Sequence, residues 1–101
     1  MRVLLFFDLP METPKERYFY NRFRRSLLKE GFIMQQKSVY TKLALNSSSV
    51  NLIKSRIKKD LPPNGLVQVL VVTERQFSSV DTFIGEVHYS NLDSTDRLII
   101  L

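Results

Sequence analysis

Cysteine and tryptophan are missing from these 101 residues, histidine occurs once, and glycine only three times. Without cysteine there is no disulfide framework and no thiolate metal site. With so little glycine there is no phosphate-cradling loop and no G-x-G-x-x-G run, so a nucleotide-cofactor enzyme is not expected. No apolar run approaches the ~18 residues of a membrane span. Met1 is followed at once by strand-like sequence, which leaves no room for a signal peptide. These absences together point to the cytoplasm. Acids are also scarce: ten Asp and Glu stand against fifteen Lys and Arg, giving a net charge of +5 and a pI near 9.7. A small basic domain favours anionic partners, nucleic acid first among them.

A composition of 44% hydrophobic and 25% charged residues is ordinary for a globular chain of this length. One domain and one core are expected. A domain this small buries about 60–70% of its unfolded surface, so oligomerisation would help it.

The opening stretch M-R-V-L-L-F-F-D-L-P organises the rest. Val3 to Phe7 form an apolar run of the kind a doubly covered strand needs. Asp8 ends it, and Pro10 stops the pairing because it has no N–H for a ladder. A carboxylate at the rim of a core needs a partner: a helix N-terminus, a cation, a metal or a second chain. The plain alternative is that Asp8 caps the following turn.

Thr13-Pro14-Lys15-Glu16 is a capping box with proline at the first helical position. The helix it starts carries Phe19, Phe23 and Leu27 as its buried stripe, with Tyr20 beside them. Arg17, Asn21, Arg24 and Arg25 fall on another face. Gly31 ends the helix. Phe32 opens a second strand that is expected to run to about Leu45, bent or bulged near Gln36–Lys37. Asn46 to Ser49 form a loop that supplies the next cap. Val50, Ile53, Ile57 and Leu61 then mark a second amphipathic helix, with Lys54, Arg56, Lys58 and Lys59 towards solvent. Pro62 to Gly65 break it. Leu66 to Thr73 is the most strand-like segment of the chain. A further strand is expected around Val80 to Ile84, then a polar irregular stretch, then Arg97-Leu98-Ile99-Ile100-Leu101 as a terminal strand.

This order, βαβ–αββ with a terminal strand added, predicts an α+β fold. It is a ferredoxin-like βαββαβ sandwich over residues 1–85, with both helices on one face of a four-stranded antiparallel sheet. Residues 86–101 form a tail whose last strand pairs with another sheet edge, swapped or packed across a homodimer.

The strand ending in F-D-L-P, the basic helix with K-E-R-Y, G-F-x-x-x-Q-x-S-V-Y from Gly31 to Tyr40 and V-L-V-V-T-E-R-Q-F from Val69 to Phe77 together resemble the CRISPR-associated Cas-two family. The resemblance covers nearly the whole chain. It implies a homodimer with C-terminal strands crossing to the partner. It further implies a subunit of the spacer-acquisition machinery that binds double-stranded DNA and bridges dimers of a partner integrase. Members are also described as metal-dependent nucleases acting on single-stranded RNA or double-stranded DNA. The family acid at the end of the first strand falls on Asp8, as ligand of a Mg²⁺ shared across the two-fold and as catalytic residue. Hard Mg²⁺ takes oxygen ligands and polarises phosphates. The residues after Asp8 depart from members that carry more acids there; Glu12 is the nearest.

Lys15, Arg17, Arg24 and Arg25, extended by Lys37 and Lys42, are the expected nucleic-acid contacts, through phosphate rather than base. His88, the lone histidine, is read as a surface residue. The third strand lacks the aromatic pattern of base-stacking RNA readers. A toxin-like endoribonuclease on the same fold is the alternative.

Overall fold

A computed structural model of the chain describes residues 1–85. In chain order the elements are β1 (Arg2–Asp8), α1 (Pro14–Glu30), β2 (Ile33–Gln36), β3 (Val39–Leu43), α2 (Ser47–Lys59), β4 (Leu66–Val72) and α3 (Glu74–Ser78). The sheet order β2-β3-β1-β4, antiparallel throughout, is the ferredoxin-like arrangement. The central strand is β1, paired with β3 on one side and β4 on the other.

Alternation along β1 sets the two faces. Val3, Leu5 and Phe7 point into the core, and Arg2, Leu4, Phe6 and Asp8 to the opposite, open face. Register carries this across the sheet: Leu5 lies between Tyr40 and Val69, and Phe6 between Val39 and Gln68. Tyr20, Phe23 and Leu27 of α1 and Val50, Ile53 and Ile57 of α2 close the core. Phe7 is its centre, stacked on Tyr40 at 5.8 Å and edge-on to Phe23 at 5.6 Å and Tyr20 at 5.9 Å. Each such buried side chain is worth about 1.5–3 kcal/mol of apolar transfer. Phe19, expected in the stripe, is only half-buried.

Both long helices begin as the sequence predicts. The Thr13 hydroxyl accepts from Glu16 N–H, while Glu16 Oε1 accepts from Thr13 N–H. Asn46 caps α2 by accepting from Ser49 N–H. Gly31 closes α1 at a φ of 103°. Leu61 lies beyond the end of α2 and is exposed.

Two expectations are corrected. The long second strand is a β2–β3 hairpin reversing at Lys37–Ser38, with a bulge between Met34 and Gln36. A continuous strand from 32 to 45 would run about 45 Å at ~3.4 Å per residue, far past β1. Reversal lets β3 pair fully with β1, and Ser38 C=O accepts from Phe7 N–H at 3.1 Å. The strand expected at Val80 to Ile84 is not formed. Instead Thr73 and Gln76 make a second capping box that starts α3. Arg2 holds α3 by a bidentate ion pair to Glu74 (2.8 and 2.9 Å), its guanidinium 4.5 Å from the centre of the Phe77 ring. Val80, Phe83 and Ile84 follow as exposed apolar residues. The expected terminal strand Arg97–Leu101 and His88 lie outside the described residues. Among the described residues no helix is long and apolar enough to cross a membrane.

Candidate functional site

Asp8 is the last residue of β1, opposite Leu66, and its position in the alternation turns it onto the open face. There its carboxylate is exposed rather than held at the rim of the core. Among the described residues no group donates a hydrogen bond or forms an ion pair to it, so the expected intramolecular partner is not found. A depression of about 230 Å³ lies against it, lined by Phe6, Phe7, Asp8, Ser38, Val39, Leu66 and Gln68. Two backbone features fix its floor: the Phe7–Ser38 hydrogen bond and the start of β4.

That start depends on Gly65. Its φ is 104°, and a Cβ there would lie 2.6 Å from Leu9 Cδ2 and 2.8 Å from the Asp8 carbonyl oxygen. Glycine is the residue that accepts both the conformation and the approach. The Asp8 corner therefore rests on a close backbone contact between two chain segments far apart in sequence.

From Leu66 and Phe6 at this corner to Leu43 at the Arg2 end, the open face is largely apolar and, among the described residues, largely uncovered. Leu43 is 55%, Leu66 56% and Leu70 51% exposed, with Phe6 and Ile33 also open. Contiguous apolar patches of this kind mark interaction sites.

The predicted basic residues divide. Lys37 stands in the β2–β3 turn, next to Ser38, at the Asp8 end of the sheet. Lys15 stands in the first turn of α1, which leaves the same end of β1, and is exposed. Arg25 is exposed and Arg24 half-buried further along α1. Arg17 donates to the carbonyls of Met11 (3.2 Å) and Glu12 (3.0 Å), tying down the loop after Asp8. Lys42 donates to the Glu30 carbonyl at the C-terminus of α1 and pairs with the Glu30 carboxylate at 3.7 Å. Both therefore have structural work within the chain. Sequence reasoning passed over Arg22 and Lys29, which are exposed on α1. Reading the helix from the side opposite Tyr20, Phe23 and Leu27 would have found them.

The donor set can be tested against a metal. Mg²⁺ is bound through one or two carboxylates together with waters and substrate phosphates. Asp8 brings one carboxylate, and among the described residues no cluster of three or more His, Cys, Asp or Glu forms. Among the described residues the one or two carboxylates that Mg²⁺ takes could come from Asp8 alone or from the Asp8 of each of two copies.

A family model for CRISPR associated protein Cas2 matches residues 1–80. The chain is 50% identical over 101 residues to the CRISPR-associated endoribonuclease Cas2 of Treponema denticola, covering 100% of both chains. It is 42% identical to that of Ligilactobacillus salivarius, again with 100% of each chain covered. Among solved structures it is similar to Streptococcus pyogenes Cas2 at pH 6.5, with a TM-score of 0.64 and 21% identity over 84% of this chain and 100% of that one. Likeness at that identity shows the fold.

Proposed function

The chain belongs to the family of CRISPR associated protein Cas2, and from that premise we propose that it works as a homodimeric nucleic-acid-handling subunit of CRISPR defence, with a phosphodiesterase centre built from two copies of Asp8. The observation that carries this is the exposed Asp8 carboxylate at the corner of a sheet face that is largely apolar and, among the described residues, largely uncovered. A second copy packed on that face buries Leu43, Leu66 and Leu70. Because a two-fold interface is self-complementary, it can face Asp8 with its own copy. Part of the same proposal is that Arg97–Leu101, which lie outside the described residues, add to the dimer interface.

The two Asp8 side chains would hold a Mg²⁺ between them. The chemistry it supplies when bound is Lewis-acid polarisation of a phosphodiester and neutralisation of the developing charge. The chain's own residues do the remainder. Lys15 and Lys37, at the Asp8 end of the fold, attract the phosphate backbone, with Arg24 and Arg25 further along α1. Arg17 fixes the loop that follows Asp8. The name of the relatives favours RNA as a substrate. Double-stranded DNA binding, and bridging of a partner integrase during spacer acquisition in the cytoplasm, belong to the same reading.

A second reading, a binding adaptor that does not cut, is favoured by one observation: among the described residues Asp8 is the one carboxylate lining the depression at the corner. Cleavage of duplex DNA and single-stranded RNA by wild type and Asp8→Asn, with Mg²⁺ or EDTA, separates the two. The nuclease reading expects activity that EDTA stops and that falls ~10²-fold or more in dimeric Asp8→Asn. Binding without cleavage in both proteins leaves the adaptor.

A further inference from the structure

We infer that the outward ridge of α1, formed by Lys15, Tyr18, Arg22, Arg25 and Lys29, is a track for one phosphodiester backbone. The inference rests on the nucleic-acid reading above and extends it from Lys15 and Arg25, already named there, along the helix face on the other side of the sheet from the Asp8 face.

These residues recur at i, i+3, i+7, i+10 and i+14, opposite the buried Tyr20, Phe23 and Leu27, and all are exposed. Spacing of three or four residues makes each the neighbour of the next on the helix surface. Like charges at that spacing oppose helix formation, so the ridge works against the helix that carries it. Nothing on α1 relieves it. Glu16 is taken up by the N–H groups of Glu12 and Thr13. Glu30 is taken up by Arg56 at 3.0 Å and by Lys42. Among the described residues no carboxylate forms an ion pair with any cation of the ridge. The helix dipole accounts for Lys29 in the last turn but not for Lys15 in the first, nor for Arg22 and Arg25 between them.

The ligand is specified by spacing and composition. At ~1.5 Å per residue the ridge runs about 21 Å. That is the axial rise of about six phosphates of one strand at ~3.4 Å each. An interfacial membrane helix needs a broad apolar face beside its cations. On this ridge the only apolar surface is Tyr18, whose ring suits a sugar or an unpaired base. Covering the open sheet face with a second copy leaves the ridge free, because the helix layer is on the other side.

The test titrates labelled duplex DNA and labelled single-stranded RNA with the full-length protein over a salt series, reading anisotropy. Arg22→Gln/Lys29→Gln should lower the salt slope by about 2, at ~0.9 per contact for duplex, slightly less for single strands. Lys54→Gln/Lys58→Gln removes the same charge from α2, which holds no acid and lies off the ridge, and should leave the slope unchanged. Tyr18→Ala weakening only the single strand, by about tenfold, assigns the track to unpaired nucleic acid. Tyr18→Ala silent on both probes, with the slope still reduced by the double variant, assigns it to the duplex backbone. An unchanged slope in Arg22→Gln/Lys29→Gln, with wild type binding normally, overturns the track and leaves the Asp8 reading standing. An equal fall in the α2 control overturns it too, because the effect is then one of net charge. Wild type that binds neither probe removes the nucleic-acid reading itself. Circular dichroism and dimer state are compared in the same samples.

Discussion

Gly65→Ala tests how the Asp8 corner is built. At a φ of 104° an alanine is in the left-handed region, which costs about 1–2 kcal/mol. The new Cβ would also stand 2.6 Å from Leu9 Cδ2 and 2.8 Å from the Asp8 carbonyl oxygen. The leucine tip can rotate away. The carbonyl cannot, because it belongs to the backbone where β1 and β4 pair. Displacing that strand end adds a further cost of similar size, about 1–2 kcal/mol. The total, about 2–4 kcal/mol, is a large part of a typical 5–15 kcal/mol stability. A domain of this size loses ~4–8 °C of Tm per kcal/mol, so a fall of about 10–30 °C is expected. Urea unfolding followed by far-UV circular dichroism, at fixed protomer concentration, measures the loss of free energy, and a thermal melt the fall in Tm. Gly65→Asn separates the causes, since asparagine tolerates the left-handed region but keeps the Cβ. A loss below about 0.5 kcal/mol in Gly65→Ala would refute the close-approach argument.

Other outcomes follow from single contacts. The Tyr40 hydroxyl is buried and, among the described residues, has no hydrogen-bond partner, so Tyr40→Phe should be neutral or stabilising by up to about 1 kcal/mol, and a clear destabilisation in urea would show that the hydroxyl is satisfied. The Arg2 guanidinium holds the Glu74 carboxyl below its ordinary 4.5. A lowered folded value means stability present above about pH 4.5 and lost as pH falls through that lower value. Because Glu74 is half exposed, solvent screening limits the effect to about 0.2–1 kcal/mol. Arg2→Ala should flatten the acid limb of a Tm–pH curve, and an unchanged limb contradicts the clasp. Asp8→Asn should keep the Tm of wild type within about 1 °C, since nothing among the described residues depends on that carboxylate; a large drop in a thermal melt would make it structural.

Much of the fold was legible because local chemistry and burial agree there. Thr13, Pro14, Glu16 and Gly31 announce the ends of α1 in the sequence, and the structure makes those contacts. Val3 to Phe7 read correctly as a strand, and β1 is the central one, but the doubly covered strand expected there has only its Val3, Leu5 and Phe7 face covered among the described residues. The β2–β3 reversal was hidden because Lys37–Ser38 carries no glycine and looks like polar strand. α3 was hidden for another reason. Thr73-Glu74-Arg75-Gln76 contains a capping box, but only a five-residue helix follows, too short to show periodicity. The position of Asp8 at a strand end was readable from the sequence, while its exposure was not. Exposure depends on which face of β1 the helices cover, and that is decided by Leu5 and Phe7 meeting Tyr40, Phe23 and Tyr20 from distant parts of the chain. Arg17 and Lys42 likewise look free in sequence and find carbonyl partners only once the loop after Asp8 and the α1 C-terminus are in place.

The central claim is that two Asp8 residues face each other in a dimer, and cross-linking tests it most directly. The chain has no cysteine, so a single introduced thiol is the only one present. A disulfide needs Cβ atoms about 3.5–4.5 Å apart, and a short bis-maleimide spans a wider gap. Asp8→Cys should give a covalent dimer on a denaturing gel by one route or the other, while Lys29→Cys, on the outward ridge, should not. If Asp8→Cys runs as a monomer on that gel while size exclusion shows an intact dimer, the two carboxylates do not meet, and the shared centre is wrong.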